Sequence, residues 1–339
     1  MKTLTIFLAS LCWLNANATI WRINSNPQVS ANFIGINEAV AHWTVLNGDT
    51  LYLENGSFFP ASTITKSLTV IGTGYFLPEN DSTYANPSPA QIQSLSLSCN
   101  NSKVIGLKVI GNISINGSNN IVERSQVGGG FDNGSPVTGV TIRQCYISGN
   151  ITSNSFMSTT ISNNIIIGYV SLTAAASVHN ITNNVIFCNS SNNTYALTAM
   201  NATVTNNIII REPVSPDPGQ NRTEYCINFG SASNINSSYS HNLMSQSATP
   251  SFPLNLFGQN KESIFTLTGS TDAYWKLKTG SPALGYGTNG DDCGAFGGAM
   301  HYVLSGLPWS LPRIITANIP ASGNGSVIPV HIVAKTQEE

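Results

Sequence analysis

Between residues 100 and 245 the chain repeats one hydrophobic and polar phrase. "ISNNIII" (161–167), "ITNNVIF" (181–187) and "VTNNIII" (204–210) each wedge an Asn-Asn pair between apolar residues. Taking the first Asn of each pair as an index, equivalent positions fall at Gly106, Arg124, Gln144, Asn163, Asn183, Asn206 and His241, with steps of 18, 20, 19, 20, 23 and 35 residues. A period near 20 with insertions is the signature of a solenoid. Two positions before the index stand Val104, Val122, Ile142, Ile161, Ile181, Val204 and Tyr239. Three positions after it stand Val109, Val127, Ile147, Ile166, Ile186, Ile209 and Met244. Both columns are apolar at every step, whereas the column just before the index reads Glu123, Arg143, Ser162, Thr182, Thr205 and Ser240 over the last six. Alternation of period two on either side of a polar corner predicts two short strands joined by a sharp turn, each stacked on its equivalent one coil away.

One position after the index, Asn164, Asn184, Asn207 and Asn242 form a further column. The expectation is that they sit in the left-handed conformation at the corner itself and hydrogen-bond from coil to coil as a structural Asn ladder. A third strand per coil is visible in "NISI" (112–115), "YVSL" (169–172) and "YALT" (195–198). Three strands in a coil of about 20 residues make a parallel β-helix. Some ten coils spaced by about 4.8 Å predict a rod on the order of 45 Å long.

Composition agrees with this reading. Only 9% of the 339 residues are charged, against about a quarter in an average globular protein. Asn, Ser and Thr supply the polar surface instead, a makeup suited to strands and turns. At the start, Lys2 precedes an apolar run from Leu4 to Leu14, followed by the small-x-small sequence Ala16-Asn17-Ala18. That is the pattern of a secretory signal over 1–18, shorter than the roughly 20 residues of a membrane span. Without Lys2 there remain 13 basic and 16 acidic residues, so a nucleic-acid footprint is not expected. No other stretch is long enough to span a membrane, and a monomer is expected. The five cysteines beyond the leader are odd in number and show no metal-ligand spacing, nor do the five histidines. Buried thiols, with at most one bridge, are the expectation.

Three further stretches carry a family resemblance. "FIGINEAVAHWTVLNGDTLYLENGSF" (33–58) looks like a capping helix, with Phe33, Ile36, Val40 and Trp43 on one face, followed by a Gly-Asp-Thr turn into a strand. "ITKSLTVIGTGYF" (64–76) is similar to a second coil, and "YWKLKTGSPALGYGTNGDDCGAFGG" (274–298) to the ending of secreted β-helix proteins of Bacteroidetes. The chain thus resembles, over roughly 30–300, the right-handed parallel β-helix proteins of the pectin-lyase-like superfamily. The resemblance implies an all-β, right-handed parallel β-helix over 19–305 with an N-terminal capping helix, and a C-terminal extension with a short β appendage over 306–339. It implies no single chemistry, since that superfamily contains lyases, hydrolases, epimerases, tailspikes and proteins without known activity.

A polysaccharide lyase neutralises a uronate carboxylate, usually with Ca²⁺, and removes a proton with a base; a hydrolase needs a pair of carboxyl groups. From 95 to 260 the acidic residues are Glu123, Asp132, Glu212, Asp217 and Glu224. Glu123 and Arg143 share a column one coil apart, as sugar-binding candidates or as an exposed ion pair. Asp132 lies in "GGGFDNGSP" (128–136), read either as a rim loop open to a ligand or as a turn, since Asp-Asn-Gly is turn chemistry. The largest interruption, "REPVSPDPGQNRTEYC" (211–226), is either an ordinary Pro-rich loop, the reading favoured by a small margin, or a site that gathers the catalytic candidates Arg211, Asp217, Arg222 and Glu224 beside the binding candidate Tyr225. Asp291-Asp292 reads as a turn, and no metal site is expected unless Ca²⁺ serves a lyase. Because neither acidic constellation assembles from aligned coil positions, the expectation is an extracytoplasmic protein that binds polysaccharide or a cell-surface glycan with weak or no catalysis. The alternatives are a lyase or hydrolase acting on an acidic glycan, and a structural or adhesive rod.

Overall fold

A computed structural model describes residues 18–174, 177–189, 195–212, 225–228, 237–247, 252, 254–308, 312–320 and 327–335. The chain is a right-handed parallel β-helix. Its first sheet has ten parallel strands, from Ile20–Ile23 to Ser238–Ser240; the second has nine, from Phe58–Phe59 to Leu243–Met244; the third has eight, from Ser62–Ile64 to Tyr225–Ile227. Each successive strand of a sheet comes from the next coil. The predicted register holds: Val104, Val122, Ile142, Ile161, Ile181, Val204 and Tyr239 are paired in sequence along the first sheet, and Val109 through Met244 along the second. Both columns point inward and are buried in one continuous core. Each such Ile or Val stabilises the fold by roughly 1.5–3 kcal/mol of apolar burial.

The index residues turn the corner between the first and second sheets. Gly106, Arg124, Gln144, Asn163, Asn183, Asn206 and His241 all have φ between 49° and 64°. The left-handed residue of each Asn pair is therefore the first Asn, and the expectation that placed Asn164, Asn184, Asn207 and Asn242 in that conformation is corrected. These second asparagines point inward and are fully buried. Asn164 Nδ2 donates to Asn184 Oδ1, Asn184 Nδ2 to Asn207 Oδ1, and Asn207 Nδ2 to Asn242 Oδ1, each at 2.9 Å. The same oxygens accept the backbone N–H of the preceding rung, and the same amides donate to carbonyls of the first sheet. The ladder ends one step further on, at Asn255. A buried amide left unpaired is costly, and this arrangement pairs every one of them.

The N-terminal end is capped by α1 (Ile36–Ala41), which buries Ile36, Ala39 and Val40. Phe33 joins the same core from the preceding segment, but Trp43 is 81% exposed because the helix stops at Ala41, so it does not share the buried face. Beyond the last coil the chain runs back along the outside of the second sheet as a strap (259–307). Ile264, Phe265, Trp275, Cys293, Ala295 and Tyr302 cover the outward residues Tyr146, Ile165, Val185, Phe187, Ile208, Ile210 and Leu243 in a second apolar cluster.

Side chains of the left-handed column hold this strap. Asn206 Oδ1 accepts from Thr288 N at 3.0 Å, Asn183 Nδ2 donates to Asp292 O at 3.3 Å, and Asn163 Nδ2 to Gly297 O at 2.8 Å. Gln144 Nε2 donates to His301 O at 2.6 Å and Arg124 Nη1 to Leu307 O at 3.1 Å. Each Asn pair thus serves two surfaces: the first Asn grips the strap, and the second ties coil to coil. Past the strap, Arg313–Asn318 and His331–Lys335 form an antiparallel two-stranded appendage, anchored by Arg313 Nε on Thr83 O at 3.0 Å. All five cysteines from Cys99 to Cys293 are free thiols.

Candidate functional site

The outer face of the third sheet carries a column of small polar residues in register. Thr63 pairs with Ser96, Ser96 with Ser114 and Ser114 with Asp132; Thr152 then pairs with Ser171 and Ser171 with Thr198. Alternation along each strand puts apolar neighbours such as Leu95, Ile113, Phe131 and Ile151 inward, so the hydroxyls face out. Two open grooves lie along this face. One, of about 400 Å³, is lined by Thr63, Ser94, Ser96, Asn112 and Ser114 among others. The second, of about 330 Å³, is lined by Asp132, Asn133, Thr152, Ser153, Asn154, Ser171 and Thr173.

Asp132 occupies the boundary between the grooves. It belongs to the strand Gly130–Asp132, not to the rim loop expected from its sequence. Its Oδ2 accepts from Asn112 Nδ2 at 2.8 Å and its Oδ1 from Ser114 Oγ. Beside it, Asn133 Oδ1 accepts from Ser153 Oγ at 2.6 Å. The carboxylate is thus fixed by groups of the preceding coil, with acceptor capacity remaining on both oxygens.

Glu123 and Arg143 meet, but not as an exposed pair. Glu123 is 1% exposed and is held between two cations: Lys103 Nζ lies 2.8 Å from Oε1, and Arg143 Nε donates to Oε2 at 2.8 Å. Burial alone would raise its pKa, yet the hydrogen bonds and charges of Lys103 and Arg143 outweigh that and hold the carboxyl below its usual range. Arg143 also turns toward Met300 of the strap. The trio closes the wall of the rod instead of presenting a carboxylate to a ligand.

The second candidate loop separates into pieces. Arg211 is buried in the second sheet, where its Nη1 donates to Cys188 O at 3.2 Å, so it does not stand in an open site. Glu212 pairs with Lys261 of the strap, whose ammonium also lies 5.2 Å from the Phe187 ring centroid. Asp217, Arg222 and Glu224 lie outside the described residues. Tyr225 is 39% exposed and stacks on Tyr195 of the preceding coil, with centroids 5.9 Å apart and planes inclined by 22°. Asp292 accepts the N–H of Gly285 at 2.8 Å, a turn role.

Calcium takes six to eight oxygen ligands, usually including several carboxylates. Among the described residues no group of three or more His, Cys, Asp or Glu is placed to hold a metal. No helix among them is long and apolar enough to cross a membrane. Sequence reasoning missed Lys103, the third member of the Glu123 cluster, and the hydroxyl column itself. That column had a signal in the period-two alternation of "STI", "LSL", "NISI", "NITS" and "VSL". Compared with known proteins, the chain matches no family model and no curated sequence.

Proposed function

We propose that this protein is an extracytoplasmic β-helix of the pectin-lyase-like kind that binds polysaccharide along the outer face of its third sheet, with weak or no catalysis. The observation that carries the reading is the pair of grooves in register with Thr63, Ser96, Ser114, Asp132, Thr152 and Ser171. Hydroxyls and amides repeating once per coil, at about 4.8 Å, suit a ligand that also repeats hydroxyl groups along its length. The leader-like segment before Thr19 fits an encounter with glycans outside the cytoplasm. Among the described residues lining the grooves Asp132 is the one carboxylate, whereas glycoside hydrolysis works with two.

The test is a glycan array probed with the mature chain, followed by titration of the strongest hits. Retention of a polysaccharide without release of reducing ends or unsaturated products supports the proposal. Product release would move the reading to a lyase or hydrolase. No retention on any plant, algal or host glycan would leave a structural or adhesive rod.

A further inference from the structure

We infer that the third-sheet groove selects a glycan free of anionic groups, laid along the rod axis. The inference rests on the glycan-binding reading and adds its ligand class and orientation. Charge decides the class. Among the described residues lining the two grooves there is no Lys or Arg, and the single charge is the Asp132 carboxylate. Asn112 and Ser114 already fix that carboxylate, so it cannot swing away from a second anion. A uronate chain would bring like charges together without a compensating cation, which is destabilising at short range. A neutral sugar instead offers hydroxyl donors to the lone pairs that Asp132 has left, a charge-assisted bond of the stronger kind. Lys103 and Arg143 are on the first sheet and engaged with Glu123.

Register decides the orientation. Thr63, Ser96, Ser114 and Asp132 pair in succession, as do Thr152, Ser171 and Thr198, each one coil further along. A glycan following the hydroxyl column therefore lies along the rod axis and passes both grooves.

The test measures binding of the mature chain to hexasaccharides of xylose, glucose and mannose and to hexamers of galacturonate and of alginate uronates, alongside neutral disaccharides. Expected is binding of at least one neutral hexamer about tenfold or more tighter than any uronate hexamer. Asp132→Asn should weaken the neutral hexamer about tenfold and narrow the gap to uronates. Ser171→Lys, on the exposed face, should raise uronate binding and keeps the test decisive if Asp132→Asn does not fold. Neutral hexamers should bind about three- to tenfold more tightly than disaccharides of the same sugar, because only they reach groups on several coils spaced by about 4.8 Å. Uronates binding as tightly as neutral chains, or variants with unchanged preference, would overturn the inference while leaving glycan binding intact. Absence of binding to every glycan would remove the underlying reading as well.

Discussion

Asn184 Nδ2 donates to Asn207 Oδ1 at 2.9 Å across two successive coils, and both side chains are wholly shut off from solvent. The Asn184 side chain also accepts the backbone N–H and the Nδ2 of Asn164, and donates to Ile161 O. Asn184→Leu keeps the volume but leaves several buried groups without partners, each worth about 1–3 kcal/mol. We expect a loss of roughly 3–5 kcal/mol in chemical denaturation, with glycan binding per folded molecule unchanged. Asn255→Leu, at the end of the ladder, should cost less. Equal costs at both positions would show that the ladder is not cooperative along the rod.

The strap gives a second prediction. Gly294 has φ of 87°, and a Cβ there would lie 2.6 Å from Ile208 Cδ1. Gly294→Val therefore meets both backbone strain and a clash with the sheet it covers. The expected result is partial release of the strap, read as dye binding to the uncovered Ile165, Val185, Ile208 and Leu243 column and as faster proteolysis within 259–307. The far-ultraviolet circular dichroism of the coils should persist. An unchanged dye signal would mean that the strap adapts without lifting.

The coils were legible in the sequence because their signal is local: Val104 through Val204 and Val109 through Ile209 repeat within windows of about 20 residues. The buried Asn ladder was legible for the same reason. The conformation of the pair was not, since residue type alone lets either Asn take positive φ and only the direction of the side chains decides. Nor were the partners of the first Asn column legible. Asn206 and Thr288 are 82 residues apart, and Arg124 and Leu307 are 183 apart, with no periodicity to link them. Trp43 was misplaced because a heptad-like spacing was carried past the last helical residue, Ala41. In the candidate site, Asp132 was found from its chemistry, but the register that sets it among hydroxyls is a property of the stacked sheet.

Glu123 supplies a stability prediction that separates it from a ligand-binding role. Removing the carboxylate leaves Lys103 and Arg143 side by side without their counter-charge. Because both cations keep partial access to water, the cost of Glu123→Ala should fall at about 1–3 kcal/mol, below that of breaking a fully buried pair. Titration with glycan should be unaffected. The double variant Lys103→Met/Glu123→Leu should recover part of the lost stability, which thermal unfolding can measure. No recovery would indicate that Glu123 acts through packing and not through charge.

His179 and Glu123 divide the acid response of the rod into two windows. His179 is 1% exposed and points inward, in register with Thr159, and neither ring nitrogen has a hydrogen-bond partner among the described residues. Burial disfavours its charged form and lowers its pKa from 6.5 to about 4. Between these values the unfolded chain binds the proton and the folded chain does not, so stability is complete above pH 6.5 and falls as pH drops toward 4. The loss should be on the order of 2–3 kcal/mol. Glu123 acts lower: its folded pKa is depressed, so its contribution is present above the ordinary carboxylate value of 4.5 and is lost as pH falls below it. Urea midpoints measured from pH 7.5 to pH 3 should therefore show two declines. His179→Leu should flatten the upper one and spare the lower, and Glu123→Gln should spare the upper and reduce the lower, which Asp49 shares, its burial outweighed by hydrogen bonds from Leu46, Trp21 and Thr19 that also hold its carboxyl below the usual range. A wild-type midpoint that stays level from pH 6.5 to pH 4.5 would mean that the His179 ring gains a partner or water on protonation, and that its burial is not the cause of acid sensitivity.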